Sequence, residues 1–331
     1  MNINQFEDKI ILISGGSGSW GRELTKQLIE KKPKEIIIFS RSEISQVDME
    51  RSFCDSRIRY VIGDVRDINA VDNVMKGVDY VFQLAALKHV PICENNPKEA
   101  IKTNIIGTIN LIDSAIKYKV RKFIYISTDK AVCPANLYGN TKAIGERLTI
   151  QANCMTKDTD FICIRGGNTI GTNGSVVPYI INQIKKSNKV QLTDDRMTRF
   201  FLTLPEAINL LFFAVVDGIG GETYIMNMPS FYIIDLVDLL ISAYGDKNTK
   251  VEIIGMREGE KLHEVLISEQ ESSRAYFVNK DYYIIYPQIK TGREYKKREC
   301  IYSLKKLFTS NNNLKDKKYL SELLKTSGWI K

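Results

Sequence analysis

Long apolar runs are missing from this chain of 331 residues: no stretch of 18 apolar residues occurs, so no membrane insertion is expected. The first nine residues lack the basic start, apolar stretch and small-residue cleavage site of a secretory signal, which makes the cytoplasm the expected location. Histidine is scarce, with only His89 and His263, and the six cysteines at 54, 93, 133, 154, 163 and 300 include no Cys-x-x-Cys pair. No metal centre is therefore expected, and the thiols read as reduced and mostly buried, Cys133 included. A basic face on the folded body is missing too. The net charge is +8, but residues 290–331 hold 12 basic and 4 acidic side chains, leaving 35 of each sign before them. Nucleic acid is thus not an expected partner, and the basic tail reads as a solvated helical end.

The sequence does hold, over residues 9–165, apolar β-type runs alternating with helical stretches. Strands are expected near 9–14, 35–40, 59–63, 79–83, 121–127 and 160–165. This is the pattern of an α/β fold: a Rossmann-like, doubly wound parallel sheet. Residues 166–201 look loop-rich, 205–218 look helical, and 222–228 look like a strand returning to the sheet. The expected division is a dinucleotide-binding domain of 1–165 with 203–230, and a smaller C-terminal substrate-binding lobe of 166–202 with 231–331.

The first strand runs into GGSGSWG at 15–21 and then a helix. Gly15 permits a tight turn, Gly18 lets a pyrophosphate approach the backbone, and Gly21 lets the helix pack on the sheet. Ser17, Ser19 and Trp20 complete the loop. The second strand ends at Ser40 and Arg41, where a cofactor ribose lies in this architecture. A guanidinium there suits a 2′-phosphate, so NADP is favoured over NAD. The third ends at Asp64 and Val65; Asp64 either meets the adenine edge or caps the next helix. After the fourth, Ala85 and Ala86 leave room for a cofactor, Lys88 and His89 point toward the crevice, and Asn104 follows.

Residues 127–142 read STDKAVCPANLYGNTK and hold a hydroxyl pair, an acid, an amine and a Tyr-x-x-x-Lys pair. Residues four apart share a helix face, so Lys142 is expected to lie under Tyr138 and lower its phenol pKa toward working pH. A phenol lowered in this way is a usable base.

These blocks, with those at 165–168, 174–178, 195–200 and 257–264, resemble the extended short-chain dehydrogenase/reductase family. Within it they are similar to the bacterial polysaccharide-biosynthesis (CapD-like) branch of UDP-N-acetylglucosamine 4,6-dehydratases. The resemblance implies that Tyr138, beside Thr128 and Lys142, takes the C4 hydroxyl proton during oxidation. It implies Lys130 as the C5 base and Asp129 as the acid at the departing C6 hydroxyl, with hydride returned to C6. For these roles the pKa of Lys130 must be depressed and that of Asp129 raised. It also implies sugar-nucleotide contacts at Lys88, His89, Asn168, Val176, Val177, Pro178, Arg199, Arg257 and Glu260, with Arg199 alternatively a buried support for loop geometry. The implied setting is bacterial surface-glycan or nonulosonic acid biosynthesis with inversion at C5. Family members pair through helices near 104–117 and 141–151, so a homo-oligomer is expected, with Ile105, Ile109, Ile112, Ile116, Ile144 and Leu148 available for the interface. Gly166 stands where an aromatic is expected, and Asn173 where arginine is common. A 5,6-ene product, a UDP-sugar 4-epimerase and an NADP-sensing module remain the alternatives.

Overall fold

The computed structural model describes residues 3–172, 174–298 and 308–331. Its first six strands are β1 (Ile10–Ser14), β2 (Glu35–Ser40), β3 (Ile58–Ile62), β4 (Tyr80–Gln83), β5 (Lys122–Thr128) and β6 (Asp160–Gly166). Between them lie α1 (Ser19–Ile29), α2 (Glu43–Phe53), α3 (Ile68–Met75), α4 (Val90–Asn95), α5 (Pro97–Ile101), α6 (Gly107–Lys117) and α7 (Leu137–Ala152). Then come β7 (Asn168–Thr169), α8 (Val176–Ser187), β8 (Lys189–Leu192), β9 (Thr198–Leu202), α9 (Leu204–Asp217), β10 (Thr223–Met226), β11 (Ser230–Tyr232) and α10 (Ile233–Tyr244). The chain ends with β12 (Lys250–Ile253), β13 (Val265–Ile267), α11 (Glu269–Ser272), β14 (Ala275–Phe277), β15 (Tyr282–Ile285), β16 (Phe308–Thr309) and α12 (Lys317–Thr326).

Nine strands form one sheet in the order β14-β15-β10-β6-β5-β4-β1-β2-β3, parallel from β10 to β3. The runs are apolar on both faces because both faces are covered. Ile11 and Ile13 of β1 pack with Leu24 and Leu28 of α1 and with Ile208 and Leu211 of α9. Leu12 points the other way, into a cluster with Val71, Leu111 and Phe123. The strand order reverses between β1 and β4, and a crevice opens at their carboxyl ends, where such folds take their ligands. The expected return strand is β10, paired in parallel with β6.

A second core joins α8, α10 and α12, with Val177, Ile181, Leu236, Leu240, Leu320 and Leu324 interlocked. Three small sheets, β11-β9-β7, β12-β8 and β13-β16, complete this lobe. The expectation of a loop-rich 166–201 is corrected here: the apolar i, i+3, i+4 spacing of Val177, Ile180, Ile181 and Ile184 buries one face of α8. Residues 275–285, read as lobe, instead extend the large sheet, with β15 antiparallel to β10. Of the thiols, Cys93 and Cys163 are buried, while Cys54, Cys133 and Cys154 are exposed; Cys300 lies outside the described residues. The tail is more than a solvated end, since Leu320 and Leu324 anchor α12 in the lobe core. Among the described residues no helix is long and apolar enough to cross a membrane.

Candidate active site

The crevice at the strand reversal is a cleft of about 720 Å³. Its floor is backbone. Gly15 has φ +69°, and a Cβ there would sit 2.7 Å from the Ala85 nitrogen, so only glycine lets the ends of β1 and β4 approach this closely. A Cβ on Gly21 would overlap the Gly16 carbonyl, which fixes α1 tightly under the loop. Gly18 caps α1 without a side-chain hydrogen bond. The first-turn amides, the helix dipole and the absence of side chains together fit a dinucleotide pyrophosphate.

Ser17 and Ser40 share a hydrogen bond of 2.9 Å, and Gln46 donates to the Ser40 hydroxyl. Arg41 is half exposed and 3.8 Å from Asp64. Burial pushes Asp64 up, but two hydrogen bonds from the Arg66 guanidinium hold it below the usual carboxylate range. Asp64 does not cap α3, because Asp67 does so through Asn69 and Ala70. Ser17, Ser19, Trp20, Ser40, Arg41, Asp64, Val65, Ala85 and Ala86 all line the cleft. Asn104 stands behind it on a π-helical turn, bonded to the Leu87 backbone at 2.8 and 2.9 Å and to Thr141 at 3.0 Å. It shapes the loop after β4.

β5 ends at Thr128, and the next three residues form a 3₁₀ turn in which the Lys130 amide donates back to the Thr128 hydroxyl. Asp129 has no exposed surface, and its Oδ1 receives the Thr128 hydroxyl at 2.9 Å and Lys130 Nζ at 3.1 Å. Lys130 Nζ also lies 3.3 Å from Glu264 Oε1 and 3.4 Å from Asn168 Oδ1. Across from the turn, α7 starts under double control. Asn136 accepts from Gly139 N at 2.8 Å and Glu94 from Leu137 N at 2.7 Å, which places Tyr138 in the first turn.

Two expectations fail on electrostatics. Burial raises Tyr138 to about 12, and the cation acting against that rise is Lys130, helped by the Thr128 hydroxyl. Lys142 has turned its ammonium 4.0 Å over the Tyr125 ring, and burial lowers it to about 7. It therefore does not lower the phenol. Nor is Lys130 depressed: burial alone would lower it, but Asp129 and Glu264 hold its ammonium above the ordinary lysine value. Asp129 is raised by burial against the pull of Lys130, the direction a proton donor needs. Ser127 Oγ, Asp129 Oδ2 and Glu264 Oε2 are buried without a hydrogen-bond partner.

On the substrate side, Lys88, His89, Asn168 and Val176 line the cleft. Burial, then Lys88, lowers His89, so its ring is neutral. Gly174, at φ +70°, lets the loop pass that ring, since a Cβ would stand 2.7 Å from His89 Cε1. Val177 is packed in the lobe core, and Pro178 stands in the first turn of α8, outside the cleft wall. Arg199 is buried, donates to the Thr198 and Leu262 carbonyls and stands 3.7 Å from Glu264, so it supports the loop. Arg257 and Glu260 also lie outside the cleft wall, in a loop tied down by Asn136 on the Gly259 carbonyl and by Lys261 on the Val132 carbonyl. Asn173 lies outside the described residues.

At Gly166, where an aromatic is expected, a Cβ would stand 3.5 Å from the Trp20 ring, in ordinary van der Waals contact, and the Trp20 indole donates to Thr169 at 3.0 Å. Sequence reading missed Glu264, which reaches Lys130 only through tertiary packing, and Thr103, which joins the cleft wall.

The polysaccharide biosynthesis protein family model matches residues 11–286. The chain is 45% identical over 290 residues to a UDP-N-acetylglucosamine 4,6-dehydratase (inverting) of Campylobacter jejuni, covering 86% of this chain and 85% of that one. It is 42% identical over 286 residues to a UDP-glucose 4-epimerase of Rickettsia canadensis, covering 85% and 83%. The X-ray structure of Pen from Bacillus thuringiensis superposes with a TM-score of 0.92 at 39% identity, covering 98% of this chain and all of that one. With its fold, glycine loop and Tyr138–Lys142 helix in place, the chain belongs to the polysaccharide biosynthesis (CapD-like) family of extended short-chain dehydrogenase/reductases and modifies sugar nucleotides.

Proposed function

We propose that this protein is an NADP-dependent UDP-N-acetylglucosamine 4,6-dehydratase that inverts C5. The observation that carries this reading is the fully buried Asp129 joined to Lys130 at the cleft wall beside Tyr138. Exchange of configuration at C4 needs a proton carrier at one hydroxyl. Loss of water across C5 and C6 needs a second acid and base, and the Asp129–Lys130 pair supplies them.

When bound, the nicotinamide would accept the hydride lost from C4 and give that hydride back at C6. Tyr138, which burial raises to about 12 against the pull of Lys130 and Thr128, takes the C4 hydroxyl proton in its ionised form, its own proton having left first. The resulting 4-ketone acidifies C5, Lys130 takes the C5 proton once its ammonium has given up its own, and Asp129 protonates the C6 oxygen, which leaves as water. Ser40 and Arg41 support NADP, the guanidinium facing the cleft and half exposed. Pairing of two copies through α6 and α7 belongs to the same reading. Ile106, at the end of the π-helical turn before α6, and Ile144 of α7 are each 42% exposed, whereas Ile112, Ile116 and Leu148 pack on their own sheet. Light scattering at micromolar concentration is expected to give a mass above 37.7 kDa.

Incubation with UDP-N-acetylglucosamine and no added cofactor is the test. The expected product has lost one water and carries a C6 methyl group by NMR. The relative named as a 4-epimerase favours a second reading, under which the product keeps the substrate's mass and becomes UDP-N-acetylgalactosamine.

A further inference from the structure

Two buried carboxylates reach the same ammonium, but their surroundings differ. Glu264 Oε1 lies 3.3 Å from Lys130 Nζ and 3.7 Å from Arg199 Nε, and Glu264 Oε2 lies 4.0 Å from Lys261 Nζ. Its backbone is locked on both sides by Ser310, whose hydroxyl accepts from Glu264 N and whose amide donates to the Glu264 carbonyl. Asp129 has a single cation within ion-pair reach among the described residues, Lys130, and no exposed surface. Its Oδ2 is orphaned. Among the described residues three cations stand around Glu264 and one around Asp129, so of the two desolvated carboxylates Asp129 is the one that favours a proton.

We propose that Glu264 is a positioning residue for the elimination: it is the standing counter-ion of Lys130, which leaves Asp129 free to carry the proton delivered to the C6 oxygen. The second half rests on the dehydratase reading above. With Asp129 neutral, Lys130 faces one anion instead of two, and burial and Arg199 then favour the loss of its proton. The other titratable groups around the cluster are Tyr138, held up by burial, and His263, kept neutral by burial and by Arg199 and Arg196 while Thr198 binds its Nδ1 at 2.8 Å. The directions agree: Asp129 is raised and Glu264 lowered.

Infrared difference spectra of the protein as purified, with its nicotinamide, test the assignment without turnover. Wild type minus Asp129→Asn at neutral pH is expected to show a protonated-carboxyl band. Wild type minus Glu264→Gln is expected to show the same band, because Asp129 ionises once it alone must balance Lys130. Glu264→Asp, which keeps the charge, is expected to retain it and to keep the assignment testable if the glutamine variant does not fold. A band unaffected by Asp129→Asn, or one surviving in a folded Glu264→Gln, overturns the proposal. In turnover, Glu264→Gln is expected to lower kcat for water loss by about 10²–10³ with little change in KM, and to move the alkaline limb of the pH profile downward. An unmoved limb overturns it. A wild type that shows the band but releases no dehydrated sugar overturns the dehydratase reading and leaves the charge assignment standing.

Discussion

Gly139 stands against the Lys130 carbonyl oxygen so closely that a Cβ on it would lie inside van der Waals contact. The helix bearing Tyr138 and the turn bearing Asp129 and Lys130 are thus held together backbone to backbone, and the three side chains share one corner of the cleft because residue 139 has none.

Gly139→Ala is accordingly expected to push α7 off the turn. The obstacle is a backbone oxygen that cannot rotate away, so a loss of roughly 1–3 kcal/mol is expected, as for other overpacked sites. Thermal denaturation and product formation measured on the same sample check it, with turnover falling further than stability alone explains.

Lys142 makes the stability of the chain depend on pH. Its folded pKa is about 7 against an ordinary lysine value of 10.5, so between these values the unfolded chain binds the extra proton and stability rises with pH. Below pH 7 the penalty is fully present. Lys142→Met removes this dependence, so its advantage over wild type is largest below pH 7 and shrinks by about 1.4 kcal/mol per unit as pH climbs above it. Denaturant titrations from pH 6 to about 10, on protein stripped of nicotinamide, measure the difference in slope.

Arg41 sets the preference between dinucleotides in this account. Replacing it with serine removes a charge-assisted contact with a 2′-phosphate, worth about 1.5–3 kcal/mol, and should weaken NADP about tenfold to a hundredfold while sparing NAD. Competition for the stripped protein by calorimetry reads both affinities.

The parts of this molecule that were legible in its sequence are those whose cause is local. The glycines of 15–21 sit between an apolar strand and a helix and announce a tight turn, and Leu12 between Ile11 and Ile13 announces a strand buried on both faces. Tyr138 and Lys142 share a helix face as their spacing requires, yet their electrostatic relation was not legible. The Tyr125 ring that holds Lys142 comes from β5, and the cation acting on Tyr138 comes from the turn beyond it. Glu264 was hidden for the same reason: only the fold carries it from the start of β13 to Lys130. The long segment 166–201 concealed α8 because glycines and polar residues flank its apolar face.

The division of labour between Tyr138 and the Asp129–Lys130 pair is the central claim, and Asp129→Asn tests it most directly. The substitution removes the proton donor with little change of shape. Mixed with UDP-N-acetylglucosamine, the variant is expected to accumulate reduced nicotinamide, seen by absorbance, and to exchange the C5 hydrogen in D₂O, while water loss slows by about 10²–10⁴. Dehydration at the wild-type rate, or the loss of both reduced nicotinamide and C5 exchange, contradicts it.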